Sequence, residues 1–230
     1  MKANRLVLLA VAGTSVLALT GCTQSPTVAA RVGDETVSTS DVDFLTRMQC
    51  DTLDRAAADP QQAQAGNVQT VPKAQVRTGM VNTLVQAAIN RQLAAKQHLG
   101  YDRTTLRDVM DQFEQVVESV PAQDRDRFRT MVEDVYRGQL QVYTLAQDEL
   151  AKLANTQPTQ AEVDNAVTAI QERYRKTIDV EVNPVYGAGA LAGEADPSLS
   201  VAVSSFAKQG RSSRPDATWV ANLPRNQRCG

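Results

Sequence analysis

The chain has 230 residues, with 24 basic and 26 acidic side chains that leave a formal net charge of −2. Nothing in this balance is basic enough to favour a nucleic acid as partner, and aromatic residues, at 4% of the chain, are too few for a surface that stacks sugars or bases. The length suits one hydrophobic core of ordinary size or two small ones.

The first 21 residues have the layout of an export signal. Two basic side chains, Lys2 and Arg5, precede an uncharged apolar run from Leu6 to Leu19, and the chain turns polar at Thr23. The apolar run is shorter than the about 20 residues that a bilayer-spanning helix needs. We therefore expect residues 1–21 to be removed rather than to form a permanent transmembrane helix.

The end of this signal resembles the lipobox of bacterial lipoproteins. Its residues are Leu19-Thr20-Gly21-Cys22, with small residues directly before the cysteine. The resemblance implies cleavage between Gly21 and Cys22 and a diacylglyceryl group on the Cys22 sulfur, so that membrane lipid is a partner. Two acyl chains anchor a protein stably, which places the chain at the cell membrane, on the extracytoplasmic side. The alternative is an ordinary cleaved signal followed by a chance cysteine.

Residues 22–27 are predicted to form a short tether between the lipid and the folded part of the chain. Even fully extended, such a tether reaches only roughly 15–20 Å. We therefore expect the body that begins at Val28 to lie close to the bilayer.

Residues 28–189 are predicted to form one helical domain that begins with a β-hairpin. Two β-prone runs, 28–32 and 35–37, flank Gly33-Asp34, which is typical of a tight turn. Apolar residues then recur at helical spacing in five segments. The predicted helices begin at Ser40 and continue over about residues 73–99, 105–120, 124–153 and 159–174, with a loop at 59–72.

Local signals predict where these helices begin and end. Serine, threonine and aspartate are the preferred caps, and an acidic residue three positions later completes a capping box. The predicted caps are Ser40 with Asp43, Asp124, and Thr159 with Glu162. Gly100 is expected to take the left-handed conformation that ends the second helix.

After the last of these helices the apolar period changes from helical to alternating. Ile178, Val180 and Val182 share one face, so residues 178–183 are predicted to form a strand. A lone strand and a two-stranded hairpin are each too small to be stable. We therefore expect the strand to pair with the hairpin and to close the body.

The C-terminal tail, residues 190–230, is rich in Ala, Gly, Ser and Pro and is predicted to be irregular apart from one strand at Ser198–Phe206. It carries Cys229, and beyond Cys22 the only other cysteine is Cys50. Two thiols in an oxidising compartment favour a disulfide, which in the chain-entropy model stabilises by roughly 4–5 kcal/mol for so long a loop. The alternative is two independent thiols.

Residues 28–43, Val-Ala-Ala-Arg-Val-Gly-Asp-Glu-Thr-Val-Ser-Thr-Ser-Asp-Val-Asp, resemble the start of the N-terminal domain of SurA/PrsA-type chaperones. Later segments resemble the family in the same order, at 94–100, 159–163 and 180–184. The resemblance covers about residues 28–187 and rests on the order of individually weak motifs. It implies a mainly α fold, a multi-helix domain whose small antiparallel hairpin pairs with a C-terminal strand.

The chain departs from this family where an enzyme would be expected. Only a few residues separate the 159–174 helix from the closing strand, so there is no room for a parvulin isomerase domain, and His98 is the single histidine. We interpret His98 as structural, near a helix C-terminus. Asp51 with Asp54, and the run 124–126, are interpreted as caps and solvated faces. No catalytic residue, metal ligand, cofactor or small-molecule substrate is predicted.

Two functions remain open. The resemblance implies a non-enzymatic holdase-like module whose partners are unfolded or exported polypeptides. The apolar stripes carry methionines 48, 80, 110 and 131, which are adaptable on promiscuous surfaces, although such stripes more often form a core. The alternative is a structural or regulatory envelope lipoprotein with one specific partner. An apolar groove that stays exposed after the helices pack would favour the first.

Overall fold

The computed structural model describes residues 26–61, 69–152, 158–186, 204–212 and 214–230. In this part of the chain the protein is mainly helical with small antiparallel sheets, as predicted. The helices are α1 (Thr39–Ala58), α2 (Lys73–Gln97), α3 (Arg103–Ser119), α4 (Arg125–Ala151), α5 (Gln160–Arg175), α6 (Ser205–Arg211) and α7 (Ala217–Ala221). The strands are β1 (Val28–Val32), β2 (Glu35–Ser38), β3 (Val71–Pro72), β4 (Val180–Val182) and β5 (Arg228–Cys229).

The predicted closure of the body by a small sheet is confirmed. Strands β2, β1 and β4 form an antiparallel sheet in that order, and Arg31 of β1 lies opposite Glu181 of β4. The hairpin turn depends on Gly33, whose φ of 52° is unfavourable for residues with a Cβ. A Cβ at Gly33 would also lie 2.5 Å from Oε1 of Gln92, whose Nε2 donates a 2.6 Å hydrogen bond to the Val32 carbonyl oxygen. The turn therefore contacts Gln92 of α2 in addition to joining the two strands.

The main core lies where this sheet packs against α1 and α2. Its largest fully buried side chains include Phe44, which is 1% exposed, and Ile89. The predicted alternation in the closing strand is confirmed, because Ile178, Val180 and Val182 all pack against this core. The two ends of the helical domain thus share one hydrophobic core.

A second buried cluster joins α2, α4 and α5. It consists of Leu93, Val142, Ala146, Val163 and Ile170. A buried amide lies nearby on α2: Asn90 is fully buried, and its Oδ1 accepts hydrogen bonds from Gln86 at 3.1 Å and from Gln171 of α5 at 3.0 Å. A Cβ at Gly138 of α4 would lie 3.1 Å from the Asn90 Cβ, so the glycine lets α4 approach α2 closely.

Of the three predicted caps, one is fully correct, one lies at the predicted position without a capping bond, and one is wrong. Thr159 and Glu162 form the full capping box of α5. The cap of α1 is Ser38, not Ser40, and its hydroxyl accepts from the Asp41 amide at 3.0 Å. Asp124 precedes α4 but makes no capping bond, because its carboxylate binds Arg47 of α1 at 3.3 Å.

The predicted end of α2 is also wrong. His98, not Gly100, takes the left-handed conformation, with φ of 53°. Its backbone amide and that of Leu99 donate to the last carbonyls of the helix, at Ala95 and Ala94. These bonds terminate the helix two residues before the glycine, so His98 has the structural position that was predicted for it.

The predictions for the tail need correction where the structure describes it. Phe206, the end of the predicted strand, belongs to helix α6, while 198–203 lie outside the described residues. The described tail is not irregular, since it contains α6, α7 and strand β5. Strand β5 pairs with β3 at Val71–Pro72, inside the segment predicted to be a loop.

Candidate functional site

The predicted lipidation and cleavage residues, Gly21 and Cys22, lie outside the described residues. The described body begins only a few residues later, at the hairpin. None of the helices that the structure describes is both long enough and apolar enough to cross a membrane.

Two of the acidic residues interpreted as caps and solvated faces make structural contacts through their side chains. Asp54 accepts a 2.5 Å hydrogen bond from the Gly230 amide, and Asp124 binds Arg47. Asp51 and Asp54 line a cavity of about 370 Å³, together with Arg55, whose Nη1 donates to the Ser119 carbonyl oxygen at 2.7 Å. Within the described ranges, no group of three or more His, Cys, Asp or Glu side chains could hold a metal ion.

Cys50 and Cys229 are joined in a disulfide, with their Cα atoms 4.8 Å apart. The bond lies at the C-terminal half of α1, and Cys229 is fully buried. Beside it, Thr70 donates a hydrogen bond of 3.2 Å to the Gly230 carbonyl oxygen. The end of the chain is therefore held to α1 by the disulfide and by the Asp54 hydrogen bond, and to residues 70–72 by the β3–β5 pair and the Thr70 hydrogen bond.

The surface that best fits a binding site is on α3, which packs chiefly against α4. We define the arm as α3 with the facing part of α4, and the arm row as Val109, Met110, Phe113 and Val116. Every residue of the arm row is partly exposed. Three of the four, Val109, Met110 and Phe113, belong to neither buried cluster of the described residues.

The arm keeps its shape through contacts between α3 and α4. The rings of Phe113 and Tyr136 lie 5.1 Å apart between centroids, and Arg129 of α4 binds Glu114 of α3 at 2.8 Å. A tilted aromatic pair and one exposed ion pair each contribute about 1 kcal/mol or less. The arm is thus held more weakly than the main core.

Two charged groups near the start of α3 make local contacts. Asp102 caps α3, and the hydrogen bonds that its carboxylate accepts from the Thr105 hydroxyl and the Thr104 amide, both 2.8 Å, lower its pKa. On α4, the hydrogen bond from Arg137 to Glu133 raises the pKa of the guanidinium.

The methionines of the predicted stripes divide between core and surface. Met48 is 4% exposed and belongs to the main core, and Met80 and Met131 pack against that core. Met110 alone among these four lies in the arm row. Most of the apolar stripes therefore pack in or against the core, whereas three residues of the α3 stripe lie outside both buried clusters of the described residues.

One further surface, in the described tail, was not predicted from the sequence. Phe206 is 57% exposed, and its ring centroid lies 5.1 Å from that of Trp219. The signal that could have found it is the charge of the tail, which has five basic residues against one acidic residue between 204 and 230.

No protein-family model, no curated protein and no solved structure matches this chain.

Proposed function

We propose that the protein is an exported lipoprotein that holds unfolded polypeptides beside the membrane without catalysing a reaction on them. The arm is the proposed client surface, and the acyl group on Cys22 is the proposed anchor. We further propose that the body is related to the N-terminal domain of SurA/PrsA-type chaperones, on the residues 28–43 and the order of the later segments.

The observation that carries the proposal is the partly exposed arm row. A methionine and a phenylalanine on one helix face can adapt to many apolar side chains, and α4 covers only one side of α3. A client that buried a further 200–300 Å² of apolar surface would gain roughly 5–8 kcal/mol, much of which the entropy of association removes. Binding would be weak and reversible, as holding of unfolded chains requires.

The position of strand β1 supports the proposed lipid anchor. The described body begins with β1 at Val28, in the small sheet, a few residues after Cys22. A lipid on Cys22 would keep this sheet near the bilayer. The disulfide between Cys50 and Cys229 fits an oxidising compartment outside the cytoplasm.

The functional test is suppression of aggregation by residues 23–230, a fragment that contains every described residue. We expect it to slow the aggregation of a reduced, unfolded secreted protein at near-stoichiometric ratio. Replacement of Met110 and Phe113 by Gln should remove most of this effect, because both side chains lie in the arm row. The matched control is Val185→Gln, which removes an apolar side chain that is 68% exposed and lies outside the arm.

The anchor is tested separately with Cys22→Ala in the full chain. The variant should leave the membrane fraction, and the native protein should carry a diacylglyceryl mass on its N-terminal cysteine. Unchanged partitioning with no acyl mass would refute the anchor and leave the client-binding test unaffected.

A second candidate function is a lipoprotein that binds one specific partner. It is favoured by the scarcity of open apolar surface, since Val185 and Phe206 are the strongly exposed large apolar side chains of the described residues. Capture of a single stoichiometric partner from the cell envelope, with no suppression of aggregation, would favour this function over the holdase.

A further inference from the structure

We propose that the tail surface, defined as Phe206, Lys208, Arg214, Trp219 and Arg225, contacts the headgroups of anionic phospholipids directly. The inference goes beyond the proposed function, because it does not need an acyl group on Cys22 or a client. It rests on charge, on the exposed Phe206 ring with the partly exposed Trp219 beside it, and on the way the tail is fastened to the body.

The tail is basic in an otherwise acidic chain. Between residues 204 and 230 there are five Lys and Arg side chains and one acidic side chain, Asp216, while the whole chain has a formal charge of −2. Electrostatic attraction to an anionic bilayer surface grows with each basic side chain near it, by about fivefold in binding. The tail therefore carries the charge that such a surface attracts.

Three of these cations have no carboxylate partner in the part of the chain that the structure describes. Lys208, Arg214 and Arg225 are exposed, and none of them forms an ion pair with the residues that the structure describes. The arginines that do form ion pairs lie between Arg47 and Arg173, on helices α1, α2, α4 and α5. The charge of these arginines is balanced by nearby carboxylates, whereas Lys208, Arg214 and Arg225 have no such partner among the described residues.

The aromatic pair gives the tail the second property of an interfacial surface. Phe206 of α6 and Trp219 of α7 are in ring contact, with their ring centroids 5.1 Å apart, and Gly210 of α6 lies beside the Trp219 ring. Trp and Phe side chains beside Lys and Arg are typical of segments that lie in the headgroup region. A soluble polyanion would use the cations but would leave Phe206 in water.

The last residues of the tail are fastened to the body. Val220 and Leu223 are buried, Cys229 is bonded to Cys50, and β5 pairs with β3. Contact between the tail surface and the bilayer would therefore position α1 and the rest of the body relative to the membrane. A freely moving tail would not have this effect.

The test measures binding of residues 23–230, without lipidation, to vesicles of phosphatidylcholine with and without phosphatidylglycerol. Trp219 is the only tryptophan of the chain, so its emission reports the surface itself. We expect co-sedimentation and a blue shift with phosphatidylglycerol vesicles at low salt, and loss of both with pure phosphatidylcholine. Binding should weaken as salt rises, because the attraction is screened.

The decisive variant is Lys208→Gln with Arg214→Gln. It should weaken binding to phosphatidylglycerol vesicles about 25-fold, at about fivefold for each cation. The matched control is Arg103→Gln with Arg107→Gln on α3, which removes the same charge from exposed positions outside the tail. An unchanged Trp219 spectrum without lipid verifies that each variant is folded.

Three results would overturn the inference. The first is absence of binding to phosphatidylglycerol vesicles at low salt. The second is an equal loss of binding in the α3 control, which would show that only net charge matters. The third is equally tight binding to polyphosphate with no blue shift of Trp219, which would assign the surface to soluble polyanions.

Discussion

The helices α2 and α3 differ in how much of their apolar surface the fold covers. Nine residues of α2 are buried, whereas α3 buries only Leu106 and Val117. Helix α2 contacts the sheet, α1, α4 and α5, and its apolar residues accordingly spread around the helix. The apolar residues of α3 are confined more clearly to one side of the helix, and α3 packs chiefly against α4. A sharp stripe thus belongs to the peripheral helix, and the central helix lacks one.

This difference separates the residues that stabilise the fold from the residues that leave apolar surface partly exposed. The core around α1 and α2 supplies the burial that holds the body together, and the arm leaves a partly open apolar face. If this comparison holds, substitutions in the two regions should have different effects. Core changes should unfold the protein, and changes in the arm should mainly alter what it binds.

The largest expected difference is between Phe44→Ala and Phe113→Ala. Phe44 is 1% exposed and lies under the guanidinium groups of Arg127 and Arg47, at 4.2 and 5.3 Å from its ring centroid. Its truncation should lower the free energy of unfolding by about 3–5 kcal/mol. Phe113 is partly exposed, so the same truncation should cost roughly 1–2 kcal/mol, mainly through the lost Tyr136 contact. Urea unfolding of both variants measures this, and equal losses would contradict the comparison.

The next largest effect is expected from the disulfide. Cys50→Ser with Cys229→Ser should lower the free energy of unfolding by about 2–5 kcal/mol. Hydrogen exchange should rise in β5, in β3 and in the adjoining part of α1, because these elements meet at the bond. Exchange in α3 should stay unchanged. Faster exchange throughout the arm would show that the arm depends on the body more than the contacts indicate.

The N-terminal caps of the helices show where prediction from the sequence was correct and where it was wrong. Thr159 and Glu162 are three residues apart and cap each other, so a local pattern sufficed. Asp124 has the right residue type, but its carboxylate binds Arg47, which lies 77 positions earlier in the chain. Ser38 rather than Ser40 caps α1 because β2 ends there. Local chemistry predicts a cap correctly only when no distant partner takes the side chain.

The sheet was predictable for a different reason. Neither the hairpin nor the 178–183 strand could be stable alone. Each therefore needed a partner strand, which made their pairing predictable. Strand β5 gave no such signal, because it consists of Arg228–Cys229 and pairs with a proline-containing segment beside Cys50. The sequence predicted a helix over about residues 105–120 with Met110 in its apolar stripe. The partial exposure of the arm row was not predicted, since it depends on α3 having only one close neighbour.

The smallest expected effect is on pH dependence. Burial of Asp41 alone would raise its pKa, but hydrogen bonds from Ser38 and Arg127 outweigh it and lower the pKa. The stabilisation is therefore complete above the pKa of the unfolded chain and is lost as the pH falls through the lower folded value. After allowance for solvent screening it amounts to less than about 1 kcal/mol. Thermal unfolding from pH 6 to pH 3 should show a smaller drop for Asp41→Asn than for the native protein, and an equal drop would contradict this role.

The arm is tested most directly by hydrogen exchange of residues 23–230 with and without a permanently unfolded, reduced and alkylated polypeptide. The account predicts slower exchange in α3 and the facing part of α4, around Val109–Val116 and Tyr136, with β1, α1 and α2 unchanged. Protection confined to the core elements, or no protection of the arm at client concentrations that suppress aggregation, would contradict it.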